Sequence, residues 1–219
     1  MTFIVGLTGG IGSGKTSAAN LFSSSGALVV DTDAIAHDLT RPGGAAIPGI
    51  RAAFGPDAVQ DDGRLNRARM RQLVFSDASA KECLEAILHP MIHAETQKRC
   101  LQTGAPYIVL VIPLLFETGF CRREINRILL VDCDEAAQKR RVMARNGLSF
   151  GEVCAIMAAQ ASRAARLAAA DDIILNDGGI KMLDRQIARL HQKYVKLARE
   201  RNAGLPRQID DRTRDIPGS

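Results

Sequence analysis

The chain lacks any apolar run of about 18 residues, the length a helix needs to cross a bilayer, and its N-terminus has neither the basic nor the apolar region of a secretory leader. No membrane partner is expected, and a cytoplasmic location is. The five cysteines, Cys83, Cys100, Cys121, Cys133 and Cys154, are odd in number, widely spaced and free of any Cys-x-x-Cys pair, so neither a disulfide scaffold nor a zinc site is indicated. There is no internal repeat, no low-complexity tract, and no Asn-Lys-x-Asp segment of the kind that reads guanine. What remains is an ordinary composition: 219 residues, 46% hydrophobic, enough for one large core with attached helices. The formal charge of +5 admits a nucleic-acid partner, but the basic residues are scattered over helical stretches with acids nearby, so none is expected.

Against these absences stands one dense signal, Thr8-Gly9-Gly10-Ile11-Gly12-Ser13-Gly14-Lys15-Thr16, which satisfies Gly-x-x-x-x-Gly-Lys-Thr. A triphosphate is held mainly by backbone N–H groups, and glycines let the chain curl closely around it. Lys15 supplies a point charge for the β- and γ-phosphates, and the Thr16 hydroxyl suits the accompanying Mg²⁺. Phe3 to Leu7 reads as a buried strand before the loop, and Thr16 to Ser24 as a helix whose N-terminus faces the anion.

Further short, β-branched runs without alternation are expected to be strands covered on both faces: Ala27 to Val30, Tyr107 to Ile112, Arg127 to Val131 and Asp172 to Leu175. Alternating with helical patterns, they predict a doubly wound α/β fold with a parallel five-stranded sheet. Some seventy residues separate the second and third strands, too many for one crossover helix, so a helical insertion is expected there, with helices over Arg64 to Phe75 and Lys81 to Cys100, the latter interrupted at Pro90. A second, basic insertion runs from Glu135 to Ala170. In it Arg141 and Arg145 lie four apart, on one helix face, suited either to clamping a phosphate chain or to facing solvent. Leu183, Ile187, Leu190, Tyr194 and Leu197 form the packing stripe of a final helix over Lys181 to Arg201.

Phosphate loops serve switches, motors and small-molecule kinases alike, so the accompanying acids matter. Asp132 closes Ile128-Leu129-Leu130-Val131 as a magnesium-binding ATPase aspartate would. It is followed by Cys133 rather than a water-activating glutamate, and is expected to be a strand-end loop residue. Asp33, in Asp31-Thr32-Asp33, closes the second strand. It is either a base that accepts a substrate hydroxyl's proton or an N-cap for the helix beginning at Ala34.

Taken together, Gly6 to Lys15, Asp31-Thr32-Asp33, Leu65-Asn66-Arg67, Leu88-His89-Pro90-Met91-Ile92, Pro113-Leu114-Leu115-Phe116-Glu117 and Ala170 to Asn176 give the chain a resemblance, over Phe3 to Leu197, to the dephospho-coenzyme A kinases of the P-loop kinase superfamily. The resemblance implies ATP-dependent phosphorylation of the ribose 3′-hydroxyl of dephospho-CoA, the last step in making coenzyme A, with ATP as co-substrate and Mg²⁺ as cofactor. It assigns ATP contacts to Gly12, Ser13, Gly14, Lys15, Thr16, Ser17 and Asn176, catalytic roles to Lys15, Asp33, Arg141 and Arg145, and the metal to Thr16. Substrate-binding positions would be Asp33, Arg67, His89, Pro90, Pro113 and Leu114, with the Leu-His-Pro segment equally readable as a packing corner. Residues 1–33, 105–134 and 171–201 would form the nucleotide-binding core, 34–104 the acceptor domain, 135–170 a lid and 202–219 a loose tail. Two departures stand out. Thr32 occupies a position where the family usually has alanine, and His37 one where it usually has arginine, which removes a permanent cation on the acceptor side.

Overall fold

The computed structural model describes residues 2–101, 104–119 and 121–203. Five strands, β1 (Ile4–Thr8), β2 (Leu28–Asp31), β3 (Ile108–Val111), β4 (Arg127–Asp132) and β5 (Asp172–Leu175), form one sheet in the order β2-β3-β1-β4-β5. All neighbours run parallel, with Gly6 of the central strand opposite Leu110 on one side and Ile128 on the other. Every residue of β3 is buried, as its uninterrupted Ile-Val-Leu-Val run requires. The edge strand β5 departs from the expected double cover: Ile173 and Leu175 are 43% and 51% exposed while Ile174 is fully buried. Alternation returns here because only one face of the strand is packed among the described residues.

The two sheet faces carry separate cores. On one, α1 (Lys15–Ser24) and α10 (Ile180–Asn202) pack over Val5, Leu7, Val109 and Leu129. Phe22, Tyr107 and Tyr194 meet there edge to face or tilted, with Tyr107 and Tyr194 centroids 5.5 Å apart at 67°. The Tyr194 hydroxyl donates to Asp172 Oδ2 at 3.1 Å, and Arg127 Nε donates to the same oxygen at 2.8 Å. Burial opposes its charge, but Arg127 and Lys193 hold the Asp172 carboxyl below its ordinary range. The helical stripe read from sequence is this contact: Leu183, Ile187 and Tyr194 are buried, with Leu190 and Leu197 packed beside them.

On the other face, Ile35 of α2 (Thr32–Leu39), Ile92 of α5 (Ala78–Leu101) and Leu115 of α6 (Leu115–Thr118) cover Ile108, Leu110 and Ile128. A third, smaller core joins α3 (Ile47–Phe54) and α4 (Arg67–Ser76) to α5 through Ile50, Met70, Ile87 and Leu88. Two helix boundaries differ from the sequence pattern. The α4 helix begins at Arg67 rather than Arg64, because Asn66 caps it by accepting from Arg69 N, while Leu65 bridges to Val59. The α5 helix runs unbroken through Pro90. Ala86, whose carbonyl loses its donor, and Pro90 are both exposed, so the lost bond lies on the solvent side, and the packing of Ile92 and Thr96 carries the helix onward. Between β4 and β5 lie α7 (Glu135–Asn146), α8 (Phe150–Ala158) and α9 (Arg163–Ala169), the second opened by a Ser149–Glu152 capping box. Asn202 still belongs to α10. The rest of the loose tail, from residue 204, lies outside the described residues.

Because α10 contributes most of one sheet face's cover, Ile187→Ala should cost about 2–5 kcal/mol of stability in urea denaturation. The turnover of the protein that remains folded should not change.

Candidate active site

The loop after β1 is shaped by two glycines that no other residue can replace without strain. Gly12 and Gly14 have φ of 71° and 98°; a Cβ on Gly12 would stand 2.8 Å from Gln138 O, and one on Gly14 would strike the Asn176 side-chain amide. With no side chain at Gly14, Asn176 Nδ2 reaches Ser13 O at 2.8 Å. Ile11 N donates to Gln160 Oε1 at 3.0 Å, so the loop is pinned from both sides. Lys15 opens α1, and its Nζ donates to Gly9 O at 2.7 Å and Gly10 O at 3.0 Å.

The loop floors a cleft of about 590 Å³ at the carboxyl end of the sheet, where ligands of open α/β folds collect. Gly12, Gly14, Lys15, Thr16 and Ser17 line it together with Asp31, Asp33, Pro113, Arg141, Arg145 and Asn176. Ser13 is fully buried beneath it. Of the two alternatives for Asp33, the cap is taken by its neighbour. Asp31 Oδ1 accepts from Asp33 N at 2.8 Å and Ala34 N at 3.3 Å, which leaves the Asp33 carboxylate to the cleft. Desolvation in the cleft and the neighbouring Asp31 push the Asp33 carboxyl up from its ordinary value, against Lys15 and Arg67. Burial brings the Lys15 ammonium down to about 8, with Arg166 and Arg145 pushing the same way and Asp33 opposing them.

The segment between β4 and β5 supplies the remaining cations. Arg141 Nη2 donates to Asn176 O at 2.8 Å, tying α7 to the loop after β5. Arg145, one turn on, lines the same cleft. Arg166 is 6% exposed and donates to Ala161 O, while Ala161 N donates to Glu117 Oε1 at 2.8 Å. Asp132 is not the loop residue expected from sequence. It is the last residue of β4, 2% exposed, and its carboxylate accepts from Arg163 Nε at 3.0 and 3.1 Å and Nη2 at 2.7 Å. A carboxylate at that depth is tolerated because the guanidinium satisfies both oxygens.

The other predicted residues stand apart from the cleft lining. Arg67 Nη2 is 3.0 Å from His37 Nδ1 and donates to Thr40 Oγ1 at 2.9 Å, so the histidine at the departing position is an exposed partner of Arg67. His89 is half-buried and Pro90 exposed on α5, and Leu114 is 44% exposed at the start of α6. Thr8 Oγ1 donates to Pro113 O at 3.4 Å, which fixes the turn that carries Pro113 and Leu114.

The dephospho-CoA kinase family model matches residues 3–182. Curated dephospho-CoA kinases from Nitrosospira multiformis and Dechloromonas aromatica are each 53% identical to this chain, over 195 residues (89% of the chain, 98% of the relative) and 199 residues (91% and 96%). The chain belongs to the dephospho-CoA kinase family. A solved Thermus thermophilus protein, 36% identical, covers 88% of this chain and 97% of its own with a TM-score of 0.78. A Campylobacter jejuni dephospho-CoA kinase, 23% identical and covering 90% and 98%, shares the fold with a TM-score of 0.65. Membership makes the chain a phosphotransferase, with ATP and dephospho-CoA as substrates, acting at the final step of coenzyme A biosynthesis. Among the described residues no helix is long and apolar enough to cross a membrane.

Several groups that organise this kinase cleft escaped the sequence reading. Gln160 acts across 149 residues along the chain and nothing local marks it, while Glu117 stands in a segment that carries the resemblance but its partner Ala161 lies 44 residues on. Asp31 is the cap because α2 begins at Thr32, two residues before the start that the sequence pattern suggests. Because the Arg163 side chain of the Asp132 pair is 39% exposed, Asp132→Asn should cost only about 1 kcal/mol, read from urea midpoints. Arg163→Met, which leaves the buried Asp132 carboxylate without its cation, should lose more, about 3 kcal/mol, and the double variant should lose less than the sum; strict additivity would mean the pair contributes no coupling.

Proposed function

We propose that this cleft moves the γ-phosphoryl group of ATP to the ribose 3′-hydroxyl of dephospho-CoA, with Asp33 accepting the hydroxyl proton. The observation that carries this reading is the division of labour between two aspartates: Asp31 satisfies the α2 N-terminus, and Asp33 faces Lys15 and Thr16 across one cleft. Oxygen 3′ bonds to the γ-phosphorus, the bond to the β–γ bridging oxygen breaks, ADP departs, and the proton passes to the Asp33 carboxylate. A carboxyl raised by desolvation lies closer to the working pH and is the better base for it.

The backbone of Gly12 to Ser17 and the α1 N-terminus would hold the phosphates, Lys15 the transferring group, and Arg141 and Arg145 the charge that spreads over it. Asn176, bonded to the loop and to Arg141, would carry the wall beside the adenine. The hydroxyl of Thr16 and the carboxylate of Asp31 line one cleft, oxygen donors that fit Mg²⁺. Bound there, Mg²⁺ would neutralise charge developing on the phosphates. Arg67, His89, Pro90, Pro113 and Leu114 would serve the acceptor, within a helical acceptor domain of residues 34–104. Residues 135–170 would close as a lid over a core of 1–33, 105–134 and 171–201, keeping water from the phosphoryl group. Such chemistry belongs in the cytoplasm. A rival ATPase reading needs Asp132 free for a metal, and Arg163 occupies both its oxygens.

The test is a panel of hydroxyl acceptors with product mass determined, run on wild type and on Asp33→Asn. Phosphate should appear on the 3′-oxygen of dephospho-CoA, and Asp33→Asn, which keeps shape but loses basicity, should turn over roughly 10²-fold more slowly with ATP binding little changed. Acceptor-independent ATP hydrolysis that survives in Asp33→Asn would overturn the proposal.

A further inference from the structure

On the sheet face away from the phosphate loop's helix, α5 and the turn before β4 bring together a set of groups that the transfer reaction does not use. His93 Nε2 lies 2.8 Å from Glu124 Oε1, and one ring nitrogen of His93, one carboxylate oxygen of Glu124 and Cys121 Sγ all fall within 4.8 Å of one another. Cys121 is 8% exposed, while the side chains of His93 and Glu124 are 37% and 38% exposed, so the trio runs from the core to the surface and an ion has a path in.

Two independent features single out this place. Cys121 has φ of 57°, the one positive value outside glycine among the described residues, a conformation costly for a residue with a Cβ. That backbone turn sets its thiol beside His93. On the same face of α5, one turn beyond His93, Thr96 Oγ1 is buried and has no hydrogen-bond partner among the described residues.

The donor chemistry is selective. Imidazole nitrogen, thiolate sulfur and carboxylate oxygen together suit zinc and its neighbours, not magnesium or calcium. A thiolate and a carboxylate also balance a divalent charge, so the loaded site would be neutral where it is half-buried. Tetrahedral zinc, with bonds of about 2.0–2.3 Å, requires ligand atoms roughly 3.3–3.7 Å apart. The 2.8 Å contact must open and the widest separation close by about 1 Å at most, which side-chain rotation can supply.

We propose that His93, Cys121 and Glu124 bind one zinc-class divalent ion, which staples the long α5 helix to the turn leading into β4. Binding forms metal–nitrogen, metal–sulfur and metal–oxygen bonds. It breaks the Cys121 S–H bond, whose proton goes to solvent, and leaves the His93 ring proton on the nitrogen that does not bind the ion, with no change of oxidation state. The metal-free thiol is held protonated, pushed up to about 12 by burial and by Glu124 and Cys100, so the ion must displace a proton to bind. Among the described residues, Cys100 from α5 and Arg123 from the turn act on the charges of the trio. The site lies outside the phosphate cleft, and the proposal does not depend on the roles assigned there.

Cobalt(II) titration of the chelator-stripped full chain, without ATP or magnesium, tests this. One equivalent should bind with a sulfur-to-cobalt charge-transfer band, displaced by zinc. The band should vanish in Cys121→Ser, and the affinity should fall at least about 10-fold in Glu124→Gln and His93→Gln. Should Cys121→Ser fail to fold, Glu124→Gln, changed at a half-exposed side chain, decides the question. Absence of the band in folded wild type, its persistence in folded Cys121→Ser, or wild-type affinity in Glu124→Gln would overturn the proposal.

Discussion

A kinase cleft must gather cations around a lysine before any phosphate is there to neutralise them. Lys15 sits under that load, desolvated against the Gly9 and Gly10 carbonyls with Arg145 and Arg166 near enough to disfavour its charge. Asp33 is the carboxylate that opposes them most strongly. The arrangement is costly in the free protein and favourable once an anion enters, which is what differential stabilisation of a transferring phosphoryl group requires.

Much of the remaining structure serves to keep those cations where they are. Arg141 is held by Asn176 O, Arg163 by Asp132, and Arg166 by Ala161 O, whose own residue is anchored by Glu117. Asp132 closes β4 and Asn176 follows β5, while Ala161 lies in the link between α8 and α9. The parallel sheet therefore does two things at once: its buried Val, Ile and Leu supply rigidity, and its ends supply the acceptors that aim the arginines. Asp31 belongs to the same scheme, since by capping α2 it frees the next carboxylate for chemistry.

The parts legible in the sequence were those whose physics is local. The loop from Gly9 to Thr16, the buried run of β3 and the stripe of α10 each declare themselves within a few residues. The unbroken α5 was not legible, because Pro90 locally argues for a stop and only the packing of Ile92 beneath it argues otherwise. Asp132 was misplaced for the same reason, since its partner Arg163 lies 31 residues away. The exposed side of β5 reflects its edge position, which follows from strand order and not from its own four residues. Arg141 and Arg145 were half legible: helical spacing put them on one face, and only the fold shows which way that face looks.

The central claim is that Lys15 is a desolvated cation waiting for a phosphate, and its ionisation can be followed directly by NMR of labelled lysine Nζ, assigned with a Lys15→Arg variant. The account predicts a midpoint near 8 in the free protein, well under the ordinary 10.5, moving upward when ATP binds. Because the bound state then holds a proton that the free state has lost, ATP affinity should fall as pH rises from 8 toward 10, by at most about tenfold per unit, and be flat in this respect below 8. A Lys15 midpoint near 10.5 in the free protein, unmoved by ATP, would contradict it.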